Sequence, residues 1–262
     1  PGSVGSLSYN KTLALDADPP TVIQMISTSA NGSYKVGDTL TIAIIFDEEV
    51  LVTGTPQLTL ETGVNDAVID YVSGNETTII SFRYVVSAGH VNADLEYVNA
   101  TALALNNGTI MDAAGNNATL TLPAPGASHS LSSNMDLNVE GVLPAIPTGL
   151  IATPGNGQIQ LDWTPNLDTD LASYKVYGGI ASNPTTLLFT IATGTETYTQ
   201  TGLSNGTIYY YRISAMDNVG NQSAETNDVA ALAHDLTVTS SLNFDGTNDY
   251  SVGDANTDFD IV

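Results

Sequence analysis

Hydrophobic residues alternate with polar ones along much of the chain. Leu40, Ile42, Ile44 and Phe46 fall on one face of an extended segment, as do Ile80, Phe82, Tyr84 and Val86. Leu58 with Leu60 and Leu120 with Leu122 predict shorter strands, and Asn31-Gly32 and Asn107-Gly108 read as turns. No stretch carries a sustained apolar stripe at helical spacing with caps, and Thr, Val, Ile and Tyr are plentiful, so helices should be short or absent. Beyond Pro144 and Pro147 a second series begins at closer spacing: Ile159, Leu161 and Trp163, then Tyr174 and Val176, then Tyr209, Tyr211, Ile213 and Ala215. The expected class is all-β, two tandem β-sandwiches joined by a short Pro-containing linker.

Composition narrows the chemistry. A chain of 262 residues suits roughly two domains. Its 28 acidic against 5 basic side chains give a net charge of −23, which argues against nucleic acid and anionic lipid partners, because phosphates must be neutralised by Lys and Arg. With no cysteine there is no disulfide framework, thiolate nucleophile or Cys-ligated metal. Apolar runs such as Ile42 to Phe46 fall far short of the roughly 18 residues that cross a bilayer, so no membrane insertion is expected in this segment. Phosphate-cradling glycine motifs and the Gly-x-Ser-x-Gly turn are missing, and His90, His129 and His234 stand apart as expected surface-loop residues. A glycosidase would need two carboxylates across a cleft, which small sandwiches rarely provide, so no enzyme activity is expected.

Setting Pro1 on Pro125 aligns identical residues at Gly2/Gly126, Ser6/Ser130, Leu7/Leu131, Ser8/Ser132, Asn10/Asn134 and Leu13/Leu137. Residues 1–17 therefore read as the closing strand and linker of a preceding repeat in a tandem array. Within 18–141, the segments Tyr34-Lys35-Val36-Gly37-Asp38, Phe46-Asp47-Glu48-Glu49-Val50, Gly54-Thr55-Pro56-Gln57-Leu58 and Met111-Asp112-Ala113-Ala114-Gly115-Asn116 resemble the Ig-like repeat of long bacterial surface and adhesin proteins. That family often carries Glu-Pro where this chain has Glu48-Glu49, which adds a carboxylate. Within 142–235, the run Leu203-Ser204-Asn205-Gly206-Thr207-Ile208-Tyr209-Tyr210-Tyr211-Arg212 and the loop Met216-Asp217-Asn218-Val219-Gly220-Asn221 resemble a bacterial fibronectin type III domain. The resemblance implies Trp163 as the core tryptophan and Tyr209 as the corner tyrosine. In 236–262, Ser241-Leu242-Asn243-Phe244-Asp245-Gly246 is similar to the opening strands of a laminin-G-like, concanavalin-A-type jelly roll, here an incomplete stub.

Carboxylates are the only abundant reactive groups. Calcium takes six to eight hard oxygens at about 2.3–2.6 Å, which Asp, Glu, Asn and loop carbonyls at a sandwich end supply. The expected structural Ca2+ site uses Asp16 or Asp18, Glu48 and Asp112, with an Ig-like strand order bringing the loop after the second strand to the Asp112 turn. The competing reading of Asp112 to Asn116 is a simple Asx turn. Asp168 and Asp170, with Asp217 and Asn221, could form another oxygen cluster, but plain turn chemistry is the expected reading. Strand alternation turns Tyr209 and Tyr211 inward and leaves Tyr210 exposed, which favours cross-strand packing over a sugar platform.

The expected function is an extracellular spacer in a multidomain bacterial cell-surface or adhesin protein, stiffened by calcium. The alternatives are a glycan- or protein-binding module and the accessory domains of a secreted carbohydrate-active enzyme. Expected partners are neighbouring domains of the same polypeptide, with a surface glycan or protein ligand engaged through the following domain.

Overall fold

The computed structural model describes residues 16–234. The expectations for the closing strand in 1–15 and the jelly-roll stub at 236–262 lie outside the described residues. The chain divides into two compact units, one of residues 1–146, 166–175 and 214–225, the other of 147–165, 176–213 and 226–262. The class is all-β, with 51% strand and 2% helix among the described residues.

The first eleven strands are β1 (Val22–Ser27), β2 (Gly32–Tyr34), β3 (Thr39–Thr53), β4 (Gln57–Glu61), β5 (Ala67–Ser73), β6 (Thr77–Val85), β7 (Val91–Asn92), β8 (Glu96–Tyr97), β9 (Leu103–Ala104), β10 (Thr109–Met111) and β11 (Leu137–Glu140). One sheet runs β1-β3-β6-β5-β4-β8, with β10 on β3 and β9 on β4; a smaller one runs β2-β11-β7. Strand β3 is long because it serves three partners in turn. Its first part pairs with β1 and β6, and past a register shift between Ile45 and Val50 its last part, Leu51 to Thr53, pairs with β10. The alternating set Leu40, Ile42, Ile44 and Phe46 is buried against Ile80, Phe82, Tyr84 and Val86 in one apolar cluster.

Two local expectations are corrected. Leu120 and Leu122 form no strand: Leu122 is buried, but its N–H goes to the Ala100 carbonyl and that of Thr119 to Pro20, so the segment crosses its neighbours instead of running along one. His90 lies in the loop between β6 and β7 but is half-buried there, with Nδ1 at 2.9 Å from the hydroxyl of buried Tyr84 and the two rings stacked at 5.8 Å. Burial pushes the Tyr84 phenol up, which keeps it neutral.

A one-turn helix, α1 (Leu131–Asn134), is capped by Ser130, whose hydroxyl accepts from the Ser133 N–H. Beside it lies a buried carboxylate. Glu96 accepts from the N–H groups of Tyr97, Gly126 and Ser132 and from the Ser132 hydroxyl, so one side chain ties the crossing loop to the sheet.

Seven further strands follow: β12 (Thr148–Gly155), β13 (Gln158–Thr164), β14 (Leu171–Gly179), β15 (Leu187–Ala192), β16 (Thr197–Thr201), β17 (Ile208–Asp217) and β18 (Val229–Leu232). They form two sheets, β12-β13-β16 and β15-β14-β17-β18. Ile159, Leu161, Trp163, Tyr174, Val176, Tyr211, Ile213 and Ala215 are buried, as the alternation predicts. Tyr209, expected to face inward, is half-buried, and its hydroxyl accepts the Ser204 N–H, five residues upstream. Tyr210 is half-buried, more covered than the alternation alone predicts.

Candidate functional site

Two loops of the chain share a spelling, Met-Asp-x-x-Gly-Asn, at Met111–Asn116 and Met216–Asn221. Both lie in the first compact unit. Each closes in the same way. The Asp N–H donates to the Asn carbonyl at 3.1 Å, and the Asn N–H returns to the Asp carboxylate at 2.8 Å. The Met pairs across an isolated antiparallel bridge with the residue after Asn, Asn117 or Gln222. Gly115 and Gly220, at φ 92° and 98°, supply the left-handed position that the turn needs.

In the first loop, β10 sets Met111 opposite Leu51, which brings Asp112 beside the irregular part of β3. Glu48 sits there, inside β3, and not in a loop after the second strand as expected. Carboxylate oxygens of Asp16, Glu48 and Asp112 lie within 4.8 Å of one another. The carboxylate of Asp18 is outside this group; its N–H donates to Asp16 Oδ1 and its carbonyl faces Asn116. Asn116 Nδ2 donates to Asp112 Oδ2 at 2.7 Å and points at the Asp16 and Asp18 carbonyls at 3.4 and 3.5 Å, so an amide group is surrounded by oxygens.

Electrostatics separate the members. Partial burial pushes Glu48 above the usual carboxylate range, helped by the charges of Asp16 and Asp112. Burial also pushes Asp112 upward, but hydrogen bonds from the Asn116 side chain and the loop N–H groups outweigh it and hold Asp112 below its ordinary value. Asp47, next to Glu48, is lowered by the Thr21 hydroxyl and N–H.

The second loop repeats the plan more tightly. Oxygens of Glu140, Asp170 and Asp217 lie within 4.8 Å of one another. Buried Asp217 accepts from the N–H groups of Val219, Gly220 and Asn221 through one oxygen. Asn221 Nδ2 donates to Asp217 Oδ2 at 2.9 Å, to the Glu140 carbonyl at 2.9 Å and to Glu140 Oε2 at 2.6 Å, while its Oδ1 accepts the Val36 N–H. Burial pushes Glu140 up, with the charges of Asp217 and Asp170 adding to it. Asp168 stays apart, accepting from Ala145 N–H and Asn166 Nδ2, as turn chemistry predicts.

Sequence reading missed Glu140, although the signal was present: setting Pro1 on Pro125 places Asp16 opposite Glu140, and the loop spelling recurs. Both groups offer only hard oxygen donors, with no nitrogen or sulfur ligand, a donor set that suits Ca2+ better than Zn2+ or copper.

No family model matches the chain. It is 34% identical over 117 residues to exoglucanase B of Cellulomonas fimi, an alignment covering 43% of this chain and 10% of that protein. It is 33% identical over 127 residues to an amylopullulanase of Thermoanaerobacterium saccharolyticum, covering 45% and 9%, and 35% identical over 121 residues to chitinase A1 of Niallia circulans, covering 45% and 16%. The chain thus spans about a tenth of the first two curated relatives. Solved structures similar to it include the FN1–FN3 domains of chicken CNTN1, at 11% identity and a TM-score of 0.42 over 82% of this chain and 68% of that one. An Fn3-like protein from Clostridium thermocellum aligns at 32% identity and a TM-score of 0.29 over 33% and 90%. The seven strands β12 to β18, with buried Trp163 and the Tyr209 corner, make a fibronectin type III-like sandwich. Among the described residues no helix is long and apolar enough to cross a membrane.

Proposed function

We propose that this chain is an extracellular, non-catalytic accessory segment of a multidomain carbohydrate-active enzyme. The observation that carries this reading is the set of matches to exoglucanases, amylopullulanases and a chitinase, each confined to a small share of a much longer protein. An accessory role explains why relatives with different printed activities share one stretch. Neighbouring domains of the same polypeptide are then its constant partners. The purified chain should hydrolyse no polysaccharide, and excising residues 16–234 from the longer protein should leave kcat on a soluble oligosaccharide unchanged. Turnover by the chain itself, lost on changing one of its carboxylates, would sink the reading. An adhesin spacer is the second reading, supported by the resemblance of 18–141 to surface-protein repeats.

Within either reading, Asp16, Glu48 and Asp112 hold a structural Ca2+, with the Asp16 and Asp18 carbonyls close by. The donor chemistry supports it, as does the mutual repulsion that a divalent cation would cancel. The residues' role is to orient their oxygens; the cation supplies charge compensation and cross-links the N-terminal segment to β3 and β10.

A further inference from the structure

We infer that β15 is the surface through which this chain pairs with a second copy of itself, strand to strand, in a weak antiparallel dimer. A strand that ends a sheet presents a row of N–H and C=O groups, and proteins protect such edges by shortness, charge, proline, a bulge or a covering loop. The strands that end the sheets of this chain differ in that protection. β2, β7, β8 and β18 are only two to four residues long. β1 is longer, but the Met25 N–H goes to the His129 carbonyl and the Met25 carbonyl accepts from the Asn134 amide, so its outer side is covered. β12 carries Pro154 and a register shift between Thr148 and Ile151. β16 follows Glu196 directly, and Asp162 of β13 stands opposite its Thr197. β15 has none of these protections. Its six residues, Leu187 to Ala192, include no charge, proline or glycine.

Only β14 pairs with β15, and among the described residues no N–H or carbonyl of Leu187 to Ala192 is bonded outside the sheet. The strand is nonetheless firmly held. Ile191 is buried, and the Phe189 ring stacks on Tyr198 of β16 with centroids 5.7 Å apart, so the edge is a preformed template. Leu187 and Phe189 stay 49% and 56% exposed beside it, available for cross-strand contact.

Charge selects the occupant. From residue 176 to 211 the only charged side chain is Glu196, on a chain of net charge −23. Asp228, which accepts the Asn183 N–H ahead of β15, is paired with Arg212 at 3.4 Å. A basic partner would be drawn to the carboxylates elsewhere, and an acidic one would find no free cation on this strand. Two copies repel over most of their surface and come together where each is bare of charge. An antiparallel pair of identical strands is self-complementary, because a two-fold axis through its middle gives each copy the same bonds. Six residues from each copy bury little beside the roughly 1,200–2,000 Å² of a stable interface, so the dimer is weak and concentration-dependent.

The test is sedimentation equilibrium of the 262-residue chain over a range of concentrations, alongside Phe189→Lys, Leu187→Lys and the control Val68→Lys, at a 57% exposed position on β5. Each lysine removes one unit of net negative charge, so general repulsion alone would make every variant associate more than the parent. The parent should dimerise, and the dimer should strengthen in about 1 M NaCl, where the screening length falls to about 3 Å. Phe189→Lys and Leu187→Lys bring like charges together across the paired strands and should weaken it more than about tenfold, whereas Val68→Lys should not. Leu187→Lys leaves the Phe189–Tyr198 stack in place, so its loss of dimer is not a loss of that packing. A monomer at every concentration overturns the pairing, as does a dimer unchanged in both β15 variants or one that dissolves in salt. None of those outcomes touches the accessory-segment reading, which fails instead on turnover by the isolated chain.

Discussion

The loops at Asp112 and Asp217 share a spelling and a backbone closure but differ in how much each holds. Around Asp217 the carboxylate accepts three backbone N–H groups, and Asn221 spends both ends of its amide on neighbours. Around Asp112 the carboxylate likewise draws the N–H groups of Asn116, Gly115 and Ala114, but the Asn116 amide reaches the Asp16 and Asp18 carbonyls only at 3.4–3.5 Å. The Asn221 amide is held at short range by Glu140 and Val36, whereas the Asn116 amide holds its further neighbours only weakly. The same motif can therefore act as a finished structural knot in one place and as a half-filled oxygen cage in another. What separates them is how firmly the Asn amide is held by its surroundings, not the acids.

The largest effect that sharpens this contrast is Asp217→Ala. It strands three N–H groups, one of them on buried Asn221, and should cost about 3 kcal/mol or more in urea unfolding. Asp112→Ala should cost clearly less without calcium; equal losses would mean that the two loops do the same work. Next comes the cation. A hundredfold excess of calcium over its dissociation constant adds about 2.7 kcal/mol per site, or a melting shift near 10 °C. Glu48→Gln should remove that shift, while Asp170→Asn should leave most of it; coincident scans with calcium and with chelator would eliminate metal from the Asp112 loop.

Smaller still is the pair of asparagines. Asn221→Ala should lose about 2 kcal/mol, because it breaks bonds to Glu140 and Val36, and Asn116→Ala under about 1 kcal/mol, since its longer contacts are weak. The reverse order would invert the comparison. The last effect is on pH. Glu48 and Glu140 lie above 4.5 in the folded chain, which therefore binds their protons more tightly than the unfolded chain does. Stability from this source falls as pH rises from about 4.5 through their folded values. Asp47 and Asp112, lowered from 3.8, act the other way, and their contribution is lost as pH falls through their folded values. In chelator, the urea midpoint should be higher near pH 4.5 than at pH 7, and Glu48→Gln should narrow the gap; an unchanged gap removes Glu48 from the titration.

Much of this was open to reading before any coordinates. Alternation at Leu40 to Phe46 and at Ile159 to Trp163 determined strands and their buried faces, because a side-chain period of two allows only one face to meet a core. The Asp-x-x-Gly-Asn loops were equally legible, since their bonds span four residues. Glu48 beside Asp112 was expected from the sequence; tertiary structure alone decided that the Asp16 carboxylate and not that of Asp18 joins them, and that Glu140 joins Asp217. Glu48 arrives because β3 continues past a register shift to pair with β10, and Glu140 arrives at the end of β11. It also decided that Leu122 is buried without a strand, and that Phe189 of β15 meets Tyr198 of β16 across the edges of two sheets. Contacts between residues distant in sequence leave no periodic trace in it; they appear only when the strands have chosen their neighbours.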